Sequence, residues 1–169
     1  MTATARFALP LLHAGQAQKE MFHNEALVQV DLLLHPAVKD VGLDSPPATP
    51  EPGDAWIVGE EPTGAWSDHA RAIAVWTDGG WWFTTPRPGV ALWSETHGKP
   101  VRYDAGAGWQ IGVIAASRIE IGGTQIVGGQ CDAIAAPTGG ATIDDAARAA
   151  IAAILDALRE HGLIASDEL

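Results

Sequence analysis

Six histidines are the residues best suited to hold a metal ion or to move a proton; they are His13, His23, His35, His69, His97 and His161. No two of them stand at the spacing of paired metal ligands on one helix or strand, and Cys131 is the single cysteine. A lone histidine is more often structural or simply exposed. In a threefold assembly, one His23 from each copy could still meet around an ion on the axis. We therefore predict no metal, no cofactor and no disulfide within one chain.

Hydrolytic chemistry has weaker support. Ser67, Asp68 and His69 supply the residue types of a catalytic triad, but adjacency in sequence does not supply its spatial geometry. A glycosidase needs two carboxyl groups at a fixed separation across a cleft. Candidate acids flank the apolar runs of the chain, namely Glu60, Glu61, Asp68, Asp78, Glu95 and Asp104. Loop acids are ordinarily solvated, so we assign no catalytic residue and predict that the chain is not an enzyme.

All seven tryptophans lie between residues 56 and 109. Exposed indole rings pack well on the C–H groups of sugars, but a small β module also needs large rings to fill its core. Trp81 and Trp82 are adjacent and must point to opposite faces of a strand. We predict core packing for most of the seven, and possible glycan or partner contacts at Trp66, Trp82 and Trp93.

The tryptophans stand in short apolar runs that Gly, Pro or Asp residues separate, which is typical of an antiparallel β meander. The sequence Asp78-Gly79-Gly80 is the clearest hairpin signal, because glycine accepts the positive φ that tight hairpins require. A second hairpin is predicted over residues 118–127, where alternating residues flank a Gly-Gly pair. Such a hairpin is marginal alone and needs a partner surface.

Two helices are predicted, one on each side of these strands. From Phe22 the apolar residues recur at helical spacing, and Pro36 ends or bends this helix. The second helix covers residues 143–160, with Thr142 as its N-cap and Gly162 at its C-terminal cap.

Each helix carries an apolar stripe that could pack on its own chain or on copies of itself. Ala147, Ile151, Ile154 and Leu158 are spaced 4, 3 and 4 residues apart, and isoleucine at both seam positions favours three or four strands. The predicted oligomer interface consists of Phe22, Leu27, Val30, Leu34, Ala147, Ile151, Ile154 and Leu158.

The predicted fold class is therefore α+β in four segments. Residues 1–44 hold an N-terminal arm and helix for attachment or oligomerisation, and residues 45–53 hold four prolines and form a stiff linker. Residues 54–116 form the tryptophan-rich antiparallel β module, and residues 117–169 form the hairpin and C-terminal oligomerisation helix. Within the arm, Pro10 predicts an edge strand or an extended segment laid on a neighbour.

The composition of the chain limits the classes of binding partner that we expect. The net charge of −11 disfavours nucleic acid and anionic membranes, which need clustered basic residues. No apolar run approaches the ~18 residues of a membrane span, and the first residues do not resemble a secretory signal. Charged residues make up only 18% of the chain, which hints at burial against another copy or another protein.

Several phrases together resemble a known family. They are LPLL at 9–12, GQAQKE at 15–20, HNEAL at 23–27, PGD at 52–54, WIVG at 56–59 and TGAW at 63–66, followed by Gly80, Trp81, Phe83, Pro86, Gly89, Trp93, Tyr103 and Asp104. This pattern resembles an uncharacterised domain family of alphaproteobacterial prophages and gene transfer agents, found in tail-fibre-like proteins. The resemblance covers about residues 6–109, and the segment from Gly139 to Ile164 is similar to tails of phage structural proteins.

The resemblance implies a virion structural protein, a tail fibre or fibre adaptor, assembled in the bacterial cytoplasm and located in the tail. It implies a homotrimer that binds other tail or baseplate proteins, with a host-surface glycan as a further candidate partner. The family carries no agreed catalytic motif, so no active residue is transferred. A tail-associated glycan hydrolase and a carbohydrate-binding module remain the alternatives.

Overall fold

The computed structural model describes residues 2–13, 19–140, 142 and 144–165. Over these residues the chain forms two helices and ten strands, so the predicted α+β class is confirmed. The chain divides into two units, Met1–Val113 and Ile114–Leu169, and each is described by itself.

The first unit holds one helix and eight strands. They are α1 (Lys19–Leu34), β1 (Ala37–Val38), β2 (Val41–Leu43), β3 (Ala55–Val58), β4 (Ile73–Thr77), β5 (Gly80–Thr84), β6 (Ala91–Ser94), β7 (Lys99–Asp104) and β8 (Gly108–Ile111). A single 3₁₀ turn, Gly64–Trp66, lies between β3 and β4.

The strands form two sheets of four. The first sheet has the order β2-β3-β4-β5 and the second has the order β1-β6-β7-β8. Consecutive strands pair antiparallel within β3–β5 and within β6–β8, as the meander predicts, whereas the edge pairs β2/β3 and β1/β6 are parallel. The sequence did not predict β1 and β2, because two or three residues are too few to show a strand period.

Two apolar clusters hold the first unit together. One joins α1, β1 and both sheets through Leu32, Val38, Ala55, Ile57, Ile73, Val75, Leu92 and Val101. The other lies on the opposite face of the first sheet and consists of Trp56, Val58, Trp66 and Ala74. Successive side chains of a strand point to opposite faces of its sheet. The main cluster therefore receives residues 55, 57, 73 and 75 of β3 and β4, and the other cluster receives residues 56, 58 and 74. The first sheet is therefore buried on both faces.

The proline-rich segment 45–53 lies inside the first unit. It connects β2 to β3, which are neighbours in one sheet, and the N–H of Gly53 donates to the carbonyl of Trp76 at 2.8 Å. The helix that precedes it contributes Leu32 to the main core. The structure therefore divides the chain near residue 113, and the segment predicted as a linker is a loop between two strands of one sheet.

The N-terminal arm folds back on its own chain. The N–H of Thr4 donates to the carbonyl of Leu9, and the N–H of Leu11 donates to the carbonyl of Thr2. Pro10 forms an isolated antiparallel bridge with Ala3. The arm therefore reverses direction within residues 2–11. Residues 14–18, which include part of the GQAQKE phrase, lie outside the described residues.

The second unit contains β9 (Ile119–Ile121), β10 (Thr124–Val127) and α2 (Asp145–Glu160). The predicted Gly-Gly hairpin is confirmed, and both glycines have positive φ. The predicted N-cap Thr142 is wrong, because the carboxylate of Asp144 accepts the N–H of Ala147 at 2.9 Å and is the cap. Ile143, the predicted first helical residue, lies outside the described residues.

Candidate functional site

Asp31 fixes the N-terminal arm to α1. Its side chain is buried, with 4% of its surface exposed. One carboxylate oxygen accepts the hydroxyl of Thr4 at 2.6 Å and the N–H of Phe7 at 2.9 Å, and the other accepts the N–H of Arg6 at 2.9 Å. A buried carboxylate is stable only when its oxygens have such donors. Asp31 therefore sets which side of α1 faces the core.

Arg6 ties the same arm to the start of β1 and β3. Its guanidinium donates to three backbone carbonyls, those of Gly53 at 2.8 Å, Ala37 at 2.9 Å and His35 at 3.2 Å. Burial lowers the pKa of Arg6, and nearby carboxylates, first that of Asp31, oppose this shift. The guanidinium therefore has a structural role and is not free to bind a ligand.

The consequence is an exposed apolar surface on α1. Three predicted interface residues and Leu33 beside them form it, and we call them the α1 apolar surface: Phe22, Val30, Leu33 and Leu34, exposed at 71%, 46%, 45% and 59%. Leu27, the remaining predicted interface residue on this helix, is half-buried. The helix packs on its own unit through Asp31 and Leu32, which the sequence stripe does not contain.

The helix of the second unit shows the same arrangement. Ala147, Ile151 and Ile154 of the predicted seam are exposed, and Leu158 is half-buried. Leu155, one position outside the seam, is the buried residue of α2. On both helices, the residues predicted as an oligomer interface are largely left uncovered by the chain itself.

The three tryptophans predicted as contact residues differ in exposure. Trp66 is completely buried, so it belongs to the core and not to a binding surface. Trp82 is half-buried and packs against the main core. Trp93 is 47% exposed on β6, opposite Pro100 of β7. Trp66 lies in the 3₁₀ turn that covers the first sheet, and no local sequence pattern distinguishes it from an exposed loop tryptophan.

Trp82 lines a groove between the arm, α1 and the β4–β5 turn, which we call the aromatic groove. Its volume is about 480 Å³, and its lining includes Leu11, Met21, Glu25, Asp78, Trp81 and Trp82. Trp81 is fixed by edge-to-face contacts with three other indole rings, those of Trp56, Trp66 and Trp76, at centroid distances of 5.6, 5.1 and 5.0 Å. Sequence reasoning named Trp82 but could not place Glu25 beside it, because α1 and β5 are distant in the chain.

Ser67 and His69, two of the residues with catalytic potential, make other contacts. The hydroxyl of Ser67 donates to the carbonyl of Gly64 at 2.9 Å, and the ring of His69 stacks on Phe83 at 3.6 Å. Sequence reasoning missed a different contact, in which Ser94 Oγ lies 2.9 Å from His97 Nδ1.

That Ser94–His97 contact does not form a relay. Asp40 Oδ1 lies 3.8 Å from the same nitrogen, Nδ1, whereas a relay uses the two ring nitrogens separately. Ser94 is moreover fully buried.

A metal site and a membrane span each require a specific arrangement of the described residues. In that part of the chain, no cluster of three His, Cys, Asp or Glu side chains is arranged to hold a metal ion. The two helices, as far as they are described, are also too short or too polar to cross a bilayer. His23, the predicted axial residue, is exposed on α1.

A known protein family matches part of this chain. Residues 23–110 match the model of a family described as "Protein of unknown function (DUF2793)", and no curated protein matches the chain. The matched region covers just over half of the 169 residues and runs from α1 through both four-stranded sheets to the last strand, β8. The main core, both tryptophan-bearing faces and the aromatic groove all draw residues from it. The chain is a member of the DUF2793 family.

Proposed function

We propose that this chain is a structural protein of a bacteriophage or gene-transfer-agent particle, a tail fibre or fibre adaptor, which acts by binding as a homotrimer. The observation that carries the proposal is the α1 apolar surface. Four large apolar side chains stand in solvent on one helix, and the most exposed of them, Phe22, keeps 71% of its surface uncovered. Contiguous exposed apolar surface of this kind marks interaction sites.

The free energy available from burying these four side chains supports a stable contact. Full burial of one large apolar side chain stabilises by about 1.5–3 kcal/mol. Covering the exposed part of all four would therefore contribute roughly 4 kcal/mol per chain before the cost of association is subtracted. The seam of α2, with Ile154 at 60% exposure, adds a second surface of the same kind.

The uncharged side chains of this surface are compatible with another copy as the partner. The chain carries a net charge of −11, so two copies repel each other over most orientations. Asp31, an acid in the last turn of α1, is buried and is occupied by hydrogen bonds from the arm. The outward side chains at positions 22, 30, 33 and 34 are uncharged, and like-charged copies could meet there without bringing acids together.

The place of such an assembly follows from the family resemblance. Tail-fibre-like proteins attach to other tail or baseplate proteins and contact the host surface, so this chain would be located in the tail after assembly in the bacterial cytoplasm. Binding, rather than catalysis, agrees with a chain whose Ser67 and Ser94 hydroxyls are occupied by structural contacts.

The test is whether the chain is part of a particle. Particles from a producing culture would be purified by density gradient, and the peptides of this chain quantified by mass spectrometry against a known tail protein. The proposal expects a fixed copy number that is a multiple of three and immunogold labelling at the tail. Absence of this chain from purified particles that retain their other tail proteins would contradict the proposal.

A further inference from the structure

We propose that the aromatic groove binds a neutral oligosaccharide. The groove has a volume of about 480 Å³, which lies in the range of small-molecule sites, roughly 300–1,000 Å³. It lies apart from the α1 apolar surface, because Met21, Glu25 and Val28 line it while Phe22, Val30, Leu33 and Leu34 do not. The two surfaces can therefore be tested separately.

The polar atoms of the groove decide the chemistry of its ligand. The side chain of Asn24 is occupied, since it accepts from the N–H and donates to the carbonyl of Leu12. The hydroxyl of Thr77 is occupied by Gly79 and Gly80. The carboxylates of Glu25 and Asp78 have no hydrogen-bond or ion-pair partner among the described residues.

Two free carboxylates select a ligand that donates hydrogen bonds. An ionised carboxylate offers acceptors only, and sugar hydroxyls are donors that match it. The ten described residues that line the groove include no lysine, arginine or histidine. Phosphates, sialic acids and uronic acids would therefore bring negative charge toward Glu25 and Asp78 without a compensating cation.

The apolar part of the groove suits the C–H faces of a saccharide. The half-buried indole of Trp82 lies in the lining with Leu11 and Val28, whereas the ring of Trp81, also a lining residue, packs on the opposite face of the first sheet. Trp82 packs on the main core, so its indole need not be ordered when a ligand binds. A preformed aromatic surface keeps the entropic cost of binding low.

An amine is the competing ligand chemistry, because carboxylates beside indole rings also attract cations. A neutral saccharide is favoured because eight of the ten described lining residues are uncharged and the volume of about 480 Å³ exceeds what a single amine group requires. The inference rests on the proposed function only for the source of the sugar, which would be the host surface.

The experiment uses the intact chain and a printed array of neutral hexose and N-acetylhexosamine di- and trisaccharides, followed by calorimetric titration of each hit. Chitosan trimer serves as the amine probe and trigalacturonate as the anionic probe. We expect binding of at least one neutral sugar and none of trigalacturonate. Trp82→Ala and the double variant Glu25→Gln with Asp78→Asn should each weaken binding about tenfold or more.

Matched controls separate binding from folding. Trp109 packs against the same core as Trp82 but is absent from the groove lining, so Trp109→Ala should leave the affinity unchanged. Glu61→Gln is the control for the loss of one exposed carboxylate. If Trp82→Ala does not fold, Trp82→Leu and the carboxylate variant still give a result.

Three outcomes would overturn the inference. They are no binding on the whole array, binding that the groove variants leave unchanged, and binding of chitosan trimer alone. The variant Phe22→Asp should bind the same sugar with unchanged affinity. A chain that fails to self-assemble but binds sugar would contradict the proposed assembly and not the groove.

Discussion

Asp31 shows how one residue can change which side of a helix faces the core. The hydrophobic pattern of α1 places it on the polar side, yet it is buried and an apolar side chain such as Phe22 is exposed. The donors that make its burial possible come from residues 4, 6 and 7, more than twenty positions away. Periodicity within a helix cannot report a partner that arrives from another segment.

Removing the carboxylate of Asp31 should release the arm. Asp31→Ala leaves two backbone donors and one hydroxyl without an acceptor, and we expect it to lower the free energy of unfolding of the first unit by about 2–4 kcal/mol. Urea denaturation followed by tryptophan fluorescence measures this change. Hydrogen exchange should also become faster at the amides of Arg6 and Phe7.

The control is Glu61→Ala, which removes an exposed carboxylate and should change stability by less than about 0.5 kcal/mol. If the amides of Arg6 and Phe7 exchange as slowly in Asp31→Ala as in the natural chain, the arm is not held by Asp31.

Asp104 gives the first unit a pH-dependent contact. The N–H of Ala107 and the N–H of Gly106 donate to its Oδ1 at 3.0 and 2.9 Å, and these bonds lower the pKa of Asp104. A lowered pKa in the folded state means that the ionised carboxylate stabilises the fold above its unfolded pKa. That stabilisation is lost as the pH falls through the folded pKa.

We therefore expect Asp104→Asn to melt at a lower temperature than the natural chain at pH 7. The difference in Tm should shrink as the pH falls below the ordinary range of an aspartate, because both chains are then uncharged at this position. Thermal unfolding recorded from pH 7 to pH 2 measures it. A Tm difference that stays constant or grows on acidification would contradict this role.

At the scale of elements, the local sequence was sufficient to predict an element wherever that element carries its own turn residues. Gly80 takes a φ of 107° at the β4–β5 hairpin, and Gly122 and Gly123 take 59° and 79° in the second hairpin. Those turns, the antiparallel runs and both helices could be predicted from the sequence for that reason. The Asp144 cap was missed because Thr142, two positions earlier, has an equally suitable side chain.

Other elements depend on distant parts of the chain. β1 and β2 exist because they pair in parallel with β6 and β3, and residues 37–43 show no strand period by themselves. The aromatic groove has the same origin, since Glu25 and Trp82 are joined only by the packing of α1 on the first sheet. The exposure of Trp93 on β6 and the burial of Trp66 in the 3₁₀ turn likewise follow from tertiary packing and not from local sequence.

The α1 apolar surface makes a separable prediction for one element. We expect the double variant Phe22→Asp and Leu34→Asp to abolish self-association, because a charge placed in an apolar interface loses its hydration without gaining a partner. Both positions are exposed in the single chain, at 71% and 59%, so the fold should survive. Light scattering after gel filtration gives the mass, and circular dichroism gives the helix content.

Gln29→Asp, at an exposed polar position on the same helix, is the matched control and should assemble as the natural chain does. An unchanged oligomer in the double variant would place the contact elsewhere, and the seam residues Ile151 and Ile154 of α2 would be the next to substitute.

At the scale of the whole molecule, the two units differ in how much they bury. The first unit has two apolar clusters, whereas the buried apolar residues described in the second are Leu155 and Ile164. The hairpin strands β9 and β10 are exposed at every position. A two-stranded hairpin of this kind is marginal in water and gains stability from a partner surface. Self-assembly would supply such a surface.

The mass of the intact chain in solution tests the central claim most directly. Sedimentation equilibrium over a range of concentrations should give the mass of three chains of 17.7 kDa each, with the assembly favoured as concentration rises. A folded species that stays at 17.7 kDa at the highest concentration would contradict the account, because the α1 apolar surface and the α2 seam would then remain in water.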